Sequence, residues 1–111
     1  MINDLIDTSR QYGPGTALPL AQIKTGAGYL MSLQALNVNA AARYLYLFDN
    51  TASSGALICA PILLAIGGNG AIDFAIPRKF STGLRYAASS GAAGTFTASA
   101  TDDLIVTAQY Y

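Results

Sequence analysis

Histidine and glutamate are absent from this 111-residue chain, cysteine occurs once, and charged residues make up only 11% of it. Each shortage excludes some chemistry. Histidine is the commonest general base and metal ligand. Without it, and without Glu, acid–base work falls to the six Asp residues. Asp4, Asp7, Asp49 and Asp73 stand apart, and only Asp102 and Asp103 adjoin. Neighbours on an extended strand point to opposite faces, so that pair makes no catalytic dyad; it suits the end of a loop. A calcium site needs six to eight converging oxygens, and no segment has that spacing. Gly67-Gly68-Asn69-Gly70 precedes a strand pattern rather than a helix, so it cradles no phosphate. Ser53-Ser54 and Ser89-Ser90 have no base to activate them. The expectation is a chain that is not an enzyme, with no catalytic residue, no cofactor and no metal.

Cys59 has no partner for an intrachain disulfide and sits in the apolar run Ala56-Leu57-Ile58-Cys59-Ala60, which suits a buried, inert thiol. Met1-Ile2-Asn3-Asp4-Leu5-Ile6-Asp7 is acidic and lacks the basic start and long apolar stretch of a signal peptide. The longest apolar run, 56 to 66, is too short for a bilayer and contains Pro61. These features predict synthesis in the cytoplasm and no membrane partner. Six basic residues balance six acidic ones. Arg10, Lys24, Arg43, Arg78, Lys79 and Arg85 are scattered, whereas phosphate backbones need clustered cations. No nucleic-acid partner is expected.

What the chain does have is 52% hydrophobic residues at zero net charge. Average globular chains carry about 25% charged residues. A neutral, charge-poor surface keeps a free monomer poorly soluble, so the composition favours a surface covered by neighbours; the alternative is a compact β-domain rich in Ala, Gly and Thr. The length fits one domain. Residues 1 to 16 read as an irregular N-terminal arm, because Tyr12-Gly13-Pro14-Gly15 stops any helix begun by Ile2, Leu5 and Ile6. Those three aliphatics are candidates to dock on a neighbour; the alternative is a frayed terminus. Residues 17 to 111 read as a β-sandwich domain. Candidate strands are 18 to 24, at an edge because of Pro19, then 29 to 36, 43 to 48, one or two segments in 58 to 66, 71 to 76, 84 to 89, 95 to 98, and 104 to 111. In 71 to 76, Ile72, Phe74 and Ile76 alternate onto one face. Seven or eight short strands at such spacing predict an all-β fold, a single antiparallel β-sandwich of jelly-roll or immunoglobulin-like form.

Aromatic placement is the feature that stands out. Tyr44, Tyr46 and Phe48 share one face of a strand, and Leu45 and Leu47 share the other. Small aliphatics suit a sandwich interior, which leaves the rings as an outward stripe, joined by Tyr110 and Tyr111 at the chain end. The opposite assignment, rings inward and leucines outward, stays open. A sugar-stacking platform is a third reading, though such sites also need placed polar groups.

Three stretches carry a family likeness: Tyr44-Leu45-Tyr46-Leu47-Phe48-Asp49-Asn50, Phe80-Ser81-Thr82-Gly83-Leu84-Arg85-Tyr86-Ala87-Ala88-Ser89, and Asp102 through Tyr111. In this order the chain resembles small β-sandwich virion proteins of tailed bacteriophages over residues 26 to 111. The likeness implies a structural role in the virion: capsid cement or decoration, bound to the major capsid protein and to its own copies as a homo-oligomer. The alternatives are a tail or fibre component of the same kind of virion, and a carbohydrate-binding adhesion module. It implies no catalytic residues.

Overall fold

The computed structural model describes residues 9–12, 22–91, 94–98 and 104–111. Its elements are β1 (Ser9–Tyr12), β2 (Gln22–Thr25), β3 (Gly28–Asn37), β4 (Arg43–Phe48), β5 (Ile62–Leu64), β6 (Asn69–Phe80), β7 (Gly83–Ser89) and β8 (Leu104–Tyr110). Two four-stranded sheets result, ordered β1-β8-β3-β6 and β2-β7-β4-β5. All pairings are antiparallel. The pairs β1·β8, β2·β7, β3·β6 and β4·β5 are the rungs of one long hairpin. Rolled on itself, that hairpin brings β3 against β8 and β4 against β7, which closes both sheets. The chain is therefore an all-β antiparallel sandwich, and this strand order is the jelly-roll form.

Side-chain alternation explains the layering. On β8, Leu104, Val106, Ala108 and Tyr110 are buried while Ile105, Thr107 and Gln109 are half-buried. Leu30, Leu33 and Ala35 of β3 meet Leu45 and Leu47 of β4, with Ile23, Leu64, Phe80 and Leu84 completing the interior. Burying each large aliphatic contributes roughly 1.5–3 kcal/mol.

Several elements differ in extent from expectation. Ser9–Tyr12, inside the segment read as an arm, pairs with β8 from Gln109 to Val106. Ile2, Leu5 and Ile6 lie outside the described residues. Of residues 58 to 66, only Ile62–Leu64 forms a strand; Pro61 has no N–H to give a ladder. Segment 95 to 98 makes a single bridge, Ser89 with Ala98. The turn before β6 is closed by the Gly68 N–H donating to the Ala65 carbonyl at 2.8 Å, with Gly67 in the left-handed region at φ 66°.

β6 departs most from its simple pattern. It runs on through Pro77-Arg78-Lys79 to Phe80. Leu30 pairs with Arg78 and Ser32 with Asp73, so four residues of β6, Phe74 to Pro77, stand against Met31 alone. This wide bulge resets the alternation. Phe74 still packs against the core, but Ile76, expected to share its face, is 81% exposed.

Candidate assembly interface

The aromatic residues of β4 lie on the face opposite the leucines. Leu45 and Leu47 enter the central core. Tyr44, Tyr46 and Phe48 therefore project from the outer face of the β2-β7-β4-β5 sheet. They do not form a free stripe. Tyr46 is 4% exposed and Phe48 3%. The expectation of an open aromatic docking face is corrected here, and the cause is Phe96. Its ring sits edge-on to Tyr46 at 5.1 Å and to Phe48 at 5.3 Å, while Tyr46 and Phe48 stack at 5.9 Å. Edge-to-face contacts of this kind add about 0.5–1.5 kcal/mol each beyond area burial.

A small polar network holds Phe96 in place. The buried Ser89 hydroxyl accepts hydrogen bonds from the N–H groups of Gly91 (3.2 Å) and Thr97 (3.0 Å) and donates to the Thr95 carbonyl (3.4 Å). The Ser90 N–H donates to the Thr97 carbonyl at 2.9 Å. The segment thus folds back over β7 and β4 as a cover, and the Tyr46 hydroxyl beneath it is buried with no hydrogen-bond partner among the described residues. A sugar platform on these rings is likewise covered. The sequence held one sign of this: Phe96 is the sole aromatic between Tyr86 and Tyr110, set among small residues.

The chain-end tyrosines divide. Tyr110 is 6% exposed and belongs to the core, which corrects its assignment to an outward surface; on β8 it falls in phase with Val106 and Ala108. Tyr111 is half-buried and stacks on Tyr29 at 5.1 Å. Tyr44 is half-buried beside the exposed Leu63, its partner on β5.

Two of the three motif segments behind the family likeness are joined by hydrogen bonds. Asp49, just after β4, accepts hydrogen bonds from the backbone N–H groups of Ser81 (2.9 Å), Thr82 (2.8 Å) and Gly83 (3.3 Å). Burial pushes the Asp49 carboxyl up, but these three donors outweigh it and hold the carboxyl below its ordinary range. Gly83 is needed at the crossing, since a Cβ there would meet the Gln22 Nε2 at 2.8 Å and the carbonyls of Asn50 and Lys24 at 2.9 Å. Gln22 Nε2 donates to the Lys24 (2.7 Å) and Asn50 (3.0 Å) carbonyls in the same knot. At the other end, the fully buried Asn37 donates to the carbonyls of Ala41 (2.9 Å), Leu64 (3.1 Å) and Ala65 (3.2 Å) and accepts from the Asn39 N–H (2.9 Å).

Two shallow hollows adjoin on the outer face of the other sheet. One, about 250 Å³, is lined by Gln34, Leu36, Asn69, Ala71, Ile105 and Thr107; the other, about 270 Å³, reaches Ser32, Asp73 and Gln109. No aromatic ring lines either. Among the described residues no group of three His, Cys, Asp or Glu side chains is placed to hold a metal ion, and no helix is long and apolar enough to cross a membrane. Burial raises the half-buried Cys59 thiol, which Arg78 partly offsets.

The exposed large apolar residues are Tyr29, Val38, Leu57, Leu63, Ile66 and Ile76. Leu63, Ile66 and Ile76 belong to β5, to the β5–β6 turn and to β6, the strands that edge the two sheets on one side of the sandwich. Sequence periodicity missed this side, because it depends on strand order and on the β6 bulge. The chain matches no protein-family model, no curated protein and no solved structure. The phage likeness therefore rests on the sequence motifs alone.

Proposed function

We propose that this chain is a structural virion protein of a tailed bacteriophage, a capsid cement or decoration protein that binds the major capsid shell and its own copies. The observation that carries the reading is a combination: zero net charge with few charged residues, and large aliphatic side chains left exposed on β5, in the β5–β6 turn and at the β6 bulge of a jelly roll. Such a surface suits cover by protein, and a shell offering identical sites at high density turns modest contacts into avidity. Jelly rolls also serve as viral capsid domains, although a fold by itself does not fix a function. The hydrogen bonds are spent on pinning loops, as a part that must keep one shape would require.

Co-sedimentation with purified shells tests the proposal. Shells assembled from major capsid protein alone should carry the added chain to saturation at a fixed ratio. A chain that stays in the supernatant at saturating concentration overturns it. Attachment to purified tails instead would assign the chain to the tail or fibre alternative.

A further inference from the structure

We infer that the β5–β6 side is the contact between two copies of this chain, made isologously around the β6 bulge. The inference rests on the self-association half of the proposed function. β6 pairs only with β3, so among the described residues its outer backbone edge has no strand against it. Open edges are normally guarded by bulges, prolines and charged side chains. β6 has all three, in its wide bulge, in Pro77, and in Asp73, Arg78 and Lys79. Regular strand-on-strand growth is thereby blocked. Yet the bulge presents Ile76 to solvent, the most exposed of the large apolar side chains. A purely protective bulge has no use for an isoleucine at its tip.

The surroundings of Ile76 are self-complementary. A hollow of about 580 Å³ includes Ile76 itself in its lining, with Asp73, Phe74, Pro77, Arg78 and Lys79. A two-fold axis near the centre of the bulge would run the two β6 strands antiparallel. Each Ile76 then faces the hollow of the other copy. The same operation sets Asp73 of each copy towards Arg78 of the other, because the acidic residue precedes the bulge and the basic pair follows it. A parallel arrangement would oppose like charges. Arg78 is held over the Phe74 ring, 5.5 Å from its centroid, so little side-chain freedom remains to be lost on pairing.

Because of the bulge, β6 runs alongside only nine residues of β3, Gly28 to Leu36, or about 30 Å at ~3.3 Å per residue. A strip that long and about 10–15 Å wide covers roughly 300–450 Å² per copy, the size of a weak, transient contact. The expected dimer is reversible and closed at two copies, since an isologous contact uses the same patch on both.

Sedimentation velocity of the full chain from about 1 to 100 µM tests this, with the dissociation constant as the readout. The unsubstituted chain should pass from monomer to dimer in this range. Ile76→Asp should weaken the dimer by tens-fold or more, with an unchanged melting temperature because the site is exposed. Asp73→Arg should also weaken it, and the double exchange Asp73→Arg with Arg78→Asp should restore it. A chain that stays monomeric at the highest concentration overturns the inference. So does a dimer indifferent to Ile76→Asp, or a charge exchange that fails to rescue while circular dichroism shows the fold intact. A dimer that binds no capsid leaves this contact standing and ends the capsid reading; capsid binding by a strict monomer does the reverse.

Discussion

At the scale of single residues, Tyr46 and Leu45 illustrate how a strand in a thin protein can be buried on both faces. Alternation assigns Leu45 and Leu47 to the core, and the core contains them. What alternation cannot report is whether the other face is wet, because the cover, Phe96, comes from a distant part of the chain. Both Leu45→Ser and Tyr46→Ser should therefore destabilise the domain by about 2–5 kcal/mol, as buried large-to-small changes do, seen as lowered melting temperatures. Tyr46→Phe should behave differently. It removes a buried hydroxyl without a partner, and relieving such a group leaves stability unchanged or raises it by up to about 1 kcal/mol. Phe96→Ala should lower stability by about 1–3 kcal/mol and raise binding of a hydrophobic dye as Tyr46 and Phe48 become accessible.

At the scale of elements, the turn between β6 and β7 depends on a residue from another strand. Asp49 accepts three backbone N–H groups from Ser81, Thr82 and Gly83. Its carboxyl is held below the unfolded value of about 3.8. The stability it supplies is therefore fully present above that value and is lost as pH falls through the lower folded value. Asp49→Asn should flatten the acid limb of a melting-temperature profile below about pH 4 and lower stability modestly at neutral pH; an unchanged acid limb would remove Asp49 from this role. Strand β4 is legible in the sequence over its full length, residues 43 to 48, because six residues alternate between clear turn signals. β6 reads from the sequence as residues 71 to 76, all within the strand, but its alternation holds only through Phe74. Pro77 marks trouble there, but a bulge of four residues against one depends on the register with β3, which no local pattern encodes. β1 was hidden for a related reason: Ser9–Tyr12 has no apolar alternation and is a strand by virtue of β8. Removing residues 2 to 12 should accordingly cost the sandwich about 2–4 kcal/mol, at about 0.5–1.5 kcal/mol net per ladder hydrogen bond. Equal melting points for the truncated and full chains would contradict that pairing.

At the scale of the whole molecule, turn spacing and the absence of sustained helical periodicity suffice for an all-β sandwich. They do not separate jelly-roll from immunoglobulin-like forms, because strand order arises from pairings such as β1·β8 and β2·β7 between opposite ends of the chain. The surface left open was not legible: the aromatic stripe is closed internally by Phe96, and Leu63, Ile66 and Ile76 are among the large aliphatics exposed instead. The central claim is that the chain is a repeated part of a virion shell. Quantitative mass spectrometry of purified virions from a phage encoding it tests this most directly. The account predicts the chain in every particle, at a fixed ratio to the major capsid protein and in many copies. Its absence from purified particles would contradict the account, as would a few copies per particle that leave with the tail when heads and tails are separated.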